Sequence, residues 1–170
     1  VADFIGEATR NAIAGRLQAA FRDAYHYNPS VQEVQSWQNS LFRMAYTLQQ
    51  GGFQDHGILL EYQLPLSSKR LDCMVTGRDV GNQAHSVIVE LKQWERCGES
   101  SGDNLVTTWI GGRERDTLHP SAQVGQYKKY LEGSSSVFYE GAPPVSLAGC
   151  AYLHNYFAEP GDQLFAARFG

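Results

Sequence analysis

Apolar residues recur with a helical period through the first fifty positions. Ile13, Leu17, Phe21 and Ala24 fall three or four apart, which predicts a helix from about Asp3 to Ala24. Tyr27-Asn28-Pro29 breaks that pattern, and Ser30 then offers an N-cap oxygen. Val31, Val34, Trp37, Leu41, Met44 and Leu48 make the apolar stripe of a second helix, which Gly51-Gly52 ends. From Gly57 the pattern becomes that of strands. The runs 58–62, 71–75 and 86–91 are short, β-rich and bounded by turn formers, so three strands are expected. The polar, glycine-rich stretch 93–118 is expected to hold an irregular segment or hairpin around Val106-Thr107-Thr108-Trp109. Pro120-Ser121 opens a further helix with Val124, Tyr127 and Leu131 on one face and Gly133 at its close, and 147–152 reads as a last strand.

Hydrophobic residues make up 42% and aromatic residues 12% of the 170-residue chain, enough for one substantial core. One domain is therefore expected, with helices over 1–50 and a strand-rich core over 57–155. No run approaches the roughly eighteen uninterrupted apolar residues of a membrane helix, and the N-terminus lacks a signal-peptide layout. The reading is a soluble, cytoplasmic protein without a membrane partner. Cys73, Cys97 and Cys150 are odd in number and widely spaced, which fits a reducing compartment and argues against a disulfide framework or a metal knuckle. The net charge of -4 excludes a global positive field for nucleic acid. Local basic pairs remain at Lys69-Arg70, Arg113 with Arg115, and Lys128-Lys129, although such pairs are more often plain solvated surface.

The chemistry concentrates in the central strands. Val87-Ile88-Val89-Glu90-Leu91-Lys92 is a continuous apolar strand ending in two charges separated by one apolar residue. Strand alternation puts Glu90 and Lys92 on one face and Leu91 on the other. Alone, the pair reads as a fraying strand end in solvent. Asp72, however, lies inside the neighbouring apolar run, and a carboxylate in a strand core needs a partner or a metal. Antiparallel pairing of these two strands would bring Asp72 and Glu90 within reach of one ion, and Glu61 in the run 58–62 would supply a third carboxylate. Three clustered acids repel one another unless a divalent cation neutralises them. All-oxygen ligation suits Mg²⁺, with Mn²⁺ as a substitute, rather than Zn²⁺. Such an ion lowers the pKa of a bound water and polarises a phosphoryl oxygen, and Lys92 is placed to orient the nucleophile or offset charge on a phosphate. Phosphodiester hydrolysis fits these parts.

Asp72 followed by Glu90-Leu91-Lys92 resembles the D…(D/E)-x-K signature of the PD-(D/E)XK, or restriction-endonuclease-like, nuclease superfamily. The resemblance implies an α/β fold with a central mixed β-sheet flanked by α-helices. It also implies metal ligation by Asp72, Glu90 and the backbone carbonyl of Leu91, with Lys92 assisting catalysis. Leu71 stands where the signature has proline, a departure that leaves the ligands untouched. Gln123-Val124-Gly125-Gln126-Tyr127 is similar to the Q-x-x-x-Y motif of RecB-like and Cas4-like members. Its spacing of four puts Gln123 and Tyr127 on one helix face as active-site or substrate support; without the upstream motif, Tyr127 would read as a core aromatic. The cysteine-ligated iron–sulfur cluster of some relatives is not expected, because three scattered cysteines do not supply four ligands.

The stretch from Leu64 to Asp72, with His119-Pro120-Ser121, is similar to a subgroup whose nuclease precedes a Schlafen-like helicase or ATPase domain. The chain has no G-x-x-x-x-G-K-[ST] loop, so no nucleotide site is expected; it reads as a piece of a longer protein or as a partner of such a domain in trans. Glu33 and His119 are further candidates. Glu33 sits where relatives often carry an acid, yet Ser30-Val31-Gln32-Glu33 is also a capping box. Lys69 and Arg70, beside Asp72, are candidate phosphate contacts. The expected substrate is nucleic acid, DNA before RNA, and a homodimer is admissible. The competing readings are a catalytically silent nucleic-acid-binding module of the same fold, a hydrolase of small phosphate esters, and a structural domain in which arginines such as Arg70 pair the buried acids.

Overall fold

Asn11 interrupts the helix that the apolar spacing predicts over 3–24. In the computed structural model, which describes residues 1–169, α1 (Ala2–Thr9) and α2 (Ile13–Tyr25) are separate helices. Asn11 takes a left-handed backbone, φ 56°. Asparagine tolerates that conformation better than most residues, and a single residue there ends an α-helical turn. A third helix, α3 (Val31–Gln50), begins as expected: Ser30 Oγ accepts the Glu33 N–H at 3.1 Å. These helices make up the first of two compact units, Val1–Ile58. Their buried positions include Phe21, Trp37, Leu41, Met44 and Leu48. Among the described residues no helix is long and apolar enough to cross a membrane.

The second unit runs from Leu59 onward, so the division falls just inside the first strand. It is built on a four-stranded mixed sheet ordered β1 (Gly57–Gln63), β2 (Arg70–Arg78), β3 (Ala84–Lys92) and β7 (Ser146–Leu153). β2 and β3 are antiparallel, with Cys73 opposite Val89 and Arg78 opposite Ala84. β3 and β7 are parallel, from His85 opposite Ser146 to Lys92 opposite Leu153. A parallel pair needs a crossover, and the segment between β3 and β7 carries α4 (Pro120–Ser134), which packs against both strands.

Between β3 and α4 the chain also builds a three-stranded antiparallel sheet, β4 (Gly98–Glu99), β5 (Leu105–Ile110) and β6 (Arg113–Leu118). The expected hairpin is thus present and extends further than the sequence indicates. Its two-residue turn is Gly111-Gly112, with φ of 62° and 83°. Positive φ at both central residues is the type I′ requirement, which glycine meets without steric cost.

The core of the second unit joins Leu64, Leu71, Met74, Ile88, Val124, Tyr127, Leu131 and Leu147, so α4 lies on the sheet face that carries Met74 and Ile88. Gly149 permits this close approach. A Cβ at that position would lie 2.4 Å from Val124 Cγ1, and valine is stiff at χ1. Gly149→Ala is expected to destabilise the protein by roughly 1–3 kcal/mol through overpacking, read as a lower urea midpoint at unchanged slope.

Candidate active site

The β2–β3 ladder ends at Cys73–Val89, one residue short of Asp72 and Glu90. Beyond that pair a side chain takes over the backbone's role: Asp72 Oδ2 accepts the Leu91 N–H at 2.7 Å. β7 pairs β3 on its other edge as far as Lys92. Side-chain alternation and the cross-strand pairing place Asp72, Met74, Ile88, Glu90 and Lys92 on the face covered by α4. Lys92 Nζ donates to Glu90 Oε1 at 2.7 Å. Gln123 Nε2 donates to the same oxygen at 2.6 Å and lies 2.9 Å from Tyr127 Oη. The structure therefore brings together Asp72, Glu90, Lys92, Gln123 and Tyr127 from β2, β3 and α4.

This cluster is electrostatically loaded. Glu90 is only 2% exposed; burial, and then the charge of Asp72, push its carboxyl up to about 7 against the opposing pull of Lys92. Burial also raises Asp72, and the Leu91 N–H, Lys92, a hydrogen bond with Glu90 and Arg70 pull it back down. The two carboxyls lie close enough to shift each other's titration. Glu90 Oε2 is buried and has no donor. Without a cation the pair is relieved by one proton held between the acids; with both ionised, it demands a positive charge.

Glu61 does not complete a three-acid group. It sits in β1 with a left-handed backbone, φ 50°, and its carboxylate faces Arg70, with Oε2 3.5 Å from Nη1. Among the described residues no three His, Cys, Asp or Glu side chains gather as a metal cage. Arg70 is thus engaged by Glu61, while Lys69 Nζ donates to Gln126 Oε1 at 3.0 Å, tying the β1–β2 loop to α4. Glu33 lies in the first unit at the start of α3, where its N–H is capped by Ser30.

His119 serves the fold. Its Nδ1 accepts the Ser121 N–H at 3.1 Å and its Nε2 lies 3.0 Å from the Leu164 carbonyl, so both ring nitrogens are occupied by backbone in one neutral tautomer. Burial lowers its pKa, and Phe169 stacks on the ring at 4.0 Å. A cavity of about 630 Å³ lined by His119, Cys150, Leu164 and Phe169 adjoins it, and neither Asp72 nor Glu90 lines that cavity.

The donor set suits a hard divalent cation: two carboxylates, one with a buried oxygen lacking any donor. Mg²⁺ is commonly held by one or two carboxylates, with waters and substrate phosphate completing the octahedron, so a third acid is not required. Sequence reasoning missed Trp94, whose ring centroid lies 5.8 Å from Lys92 Nζ. Its signal is the aromatic two positions beyond Lys92, on the same face if the extended chain continues. Comparison with protein-family models, curated proteins and solved structures gives no match for this chain.

Raised carboxyl pKa values imply that the folded metal-free protein binds more protons than the unfolded chain between about pH 4.5 and pH 7. Its stability should therefore fall as pH rises through that window, by up to about 3 kcal/mol from Glu90. Urea midpoints in EDTA at pH 5 and pH 8 measure the loss, and Glu90→Gln should flatten most of it.

Proposed function

We propose that the second unit is a divalent-cation-dependent nuclease with a restriction-endonuclease-like core of the PD-(D/E)XK kind, acting on nucleic acid, DNA before RNA. The observation that carries this reading is the buried Glu90 oxygen without a donor, set against the Asp72 carboxylate with Lys92 alongside. Asp72 and Glu90 would hold Mg²⁺ or Mn²⁺ together with the Leu91 carbonyl, and the ion when bound supplies Lewis-acid activation of water and phosphate.

The chain's own groups divide the remaining work. The Leu91 N–H fixes the Asp72 carboxylate, leaving its other oxygen for ligation. Gln123 holds Glu90 Oε1 from α4, with Tyr127 beside it, so the carboxylate keeps its orientation when Lys92 turns away. The Lys92 ammonium, 18% exposed at its side chain, is the nearest mobile positive charge for a phosphate oxygen or an incoming water. A helicase or ATPase domain, in the same polypeptide or as a separate partner in the cytoplasm, would deliver the strand to this site.

The second reading, a silent nucleic-acid-binding module, draws on the same acids. The Lys92 and Gln123 contacts satisfy Glu90 Oε1, with Lys92 offsetting part of the charge without any metal, and Glu61 is committed to Arg70. Cleavage of labelled single- and double-stranded DNA and RNA with Mg²⁺, Mn²⁺ or EDTA separates the two. The nuclease reading predicts metal-dependent cutting that drops by at least about a hundredfold in Asp72→Ala and Lys92→Ala, with folding checked by circular dichroism. Gln123→Ala, which leaves the ligands but frees their support, should lose roughly 10- to 100-fold. Binding without cutting in every metal would leave the silent module.

A further inference from the structure

Lys92 begins a line of alternating cations and aromatic rings that runs out of the site. Its Nζ lies 5.8 Å from the Trp94 ring centroid, and Arg96 Cζ lies 5.8 Å from the Trp109 ring centroid. Lys92 ends β3, and Trp94 and Arg96 lie in the irregular segment, bent at Glu95, that leads from it to β4. Trp109 stands near the tip of that sheet and is 55% exposed, unusual for the most costly side chain to leave in water. The β5 residues that alternate with it, Val106 and Thr108, are buried, and Thr108 Oγ1 donates to the Arg96 carbonyl at 2.8 Å. The ring is thus held outward by a strand whose other face is anchored, with the tight Gly111-Gly112 turn fixing the register.

The charges around Trp109 identify what it can bind. Arg96 lies over its ring, Glu114 lies directly across from it in the ladder and Asp116 faces Thr107 on the same face, whereas Arg113 and Arg115 pair with Ile110 and Thr108 and belong to the other face. A face with one guanidinium against two carboxylates, on a protein of net charge -4, is poorly suited to duplex DNA, whose affinity comes mainly from phosphate neutralisation. An exposed indole flanked by a guanidinium is instead a stacking platform for an unpaired base, and base faces are available only where the strand is single.

We propose that the Trp109 hairpin is a base-stacking platform, making single-stranded nucleic acid the substrate class of the site. One base stacks on Trp109 beside Arg96, and the strand continues along Trp94 towards Lys92. The proposal rests on the nuclease reading for the meaning of the site, not for the stacking itself.

The test is binding of end-labelled oligothymidylate and of a mixed-sequence duplex of equal length to the full chain in EDTA, followed by fluorescence anisotropy across a salt series. Cleavage of the same oligonucleotides in Mn²⁺ is measured in parallel. The platform predicts tighter binding of the single strand with a shallow salt dependence, a loss of about tenfold or more in Trp109→Ala, and near wild-type affinity in Trp109→Phe. Single-strand affinity equal in Trp109→Ala and wild type overturns the platform, and so does a duplex bound as tightly as the single strand. Metal-dependent cutting that survives beside either result leaves the nuclease reading standing. Trp109-dependent binding with no cutting in any metal supports the platform and removes the nuclease reading, and absence of all binding removes both.

Discussion

Two carboxyl groups lie side by side at the end of the β2–β3 ladder, Glu90 buried and Asp72 half-buried. Asp72 sits there because its side chain closes the ladder in place of a backbone carbonyl, accepting the Leu91 N–H. Glu90 sits there because strand alternation after Ile88 sends it to the face that α4 covers. Like charges in a low-dielectric site must be neutralised, and the structure provides partial means: Lys92 and Gln123 on one Glu90 oxygen. The other Glu90 oxygen is left without a donor. Almost every feature around it, from the Gly149 gap that lets α4 settle to the Gln123–Tyr127 pair that α4 carries, places or supports that pair of acids.

Lys92 connects this constraint to the surface. Its contact with Glu90 is a buried-edge ion pair, and its ammonium also lies 5.8 Å from the Trp94 ring, close in the chain to the Arg96–Trp109 pair. The sheet carrying Trp109 lies between β3 and α4 in the chain, so its strands are tethered on both sides to elements of the acid cluster.

The central strands and α4 were legible because their signals are local. Glu90, Leu91 and Lys92 declare their faces by alternation, Ser30 and Pro120 mark helix starts, and the four-residue spacing of Gln123 and Tyr127 is a helix-face signal. Glu61 was read as a third acid because it lies in an apolar run, but its backbone is left-handed and its charge is met by Arg70, a pairing set by strand neighbours rather than by its own sequence context. The break at Asn11 lies in a stretch whose apolar spacing continues a helix, so periodicity alone cannot find it. His119 drew notice by its place before Pro120, and only the tertiary contacts to Leu164 and Phe169 reveal it as a buried cap. The contact of Arg96 with Trp109 is invisible in sequence because it depends on how the β4–β5–β6 sheet folds back on the segment that leads into it.

The most direct measurement of the central claim is titration of the whole protein with Mn²⁺ at pH 8, followed by electron paramagnetic resonance, against Asp72→Asn. A cation demanded by the Asp72–Glu90 pair predicts a bound-ion signal in the wild type that weakens at pH 5, where Glu90 is protonated, and is lost in the variant. An identical signal in both proteins, or none in the wild type at pH 8, would contradict it.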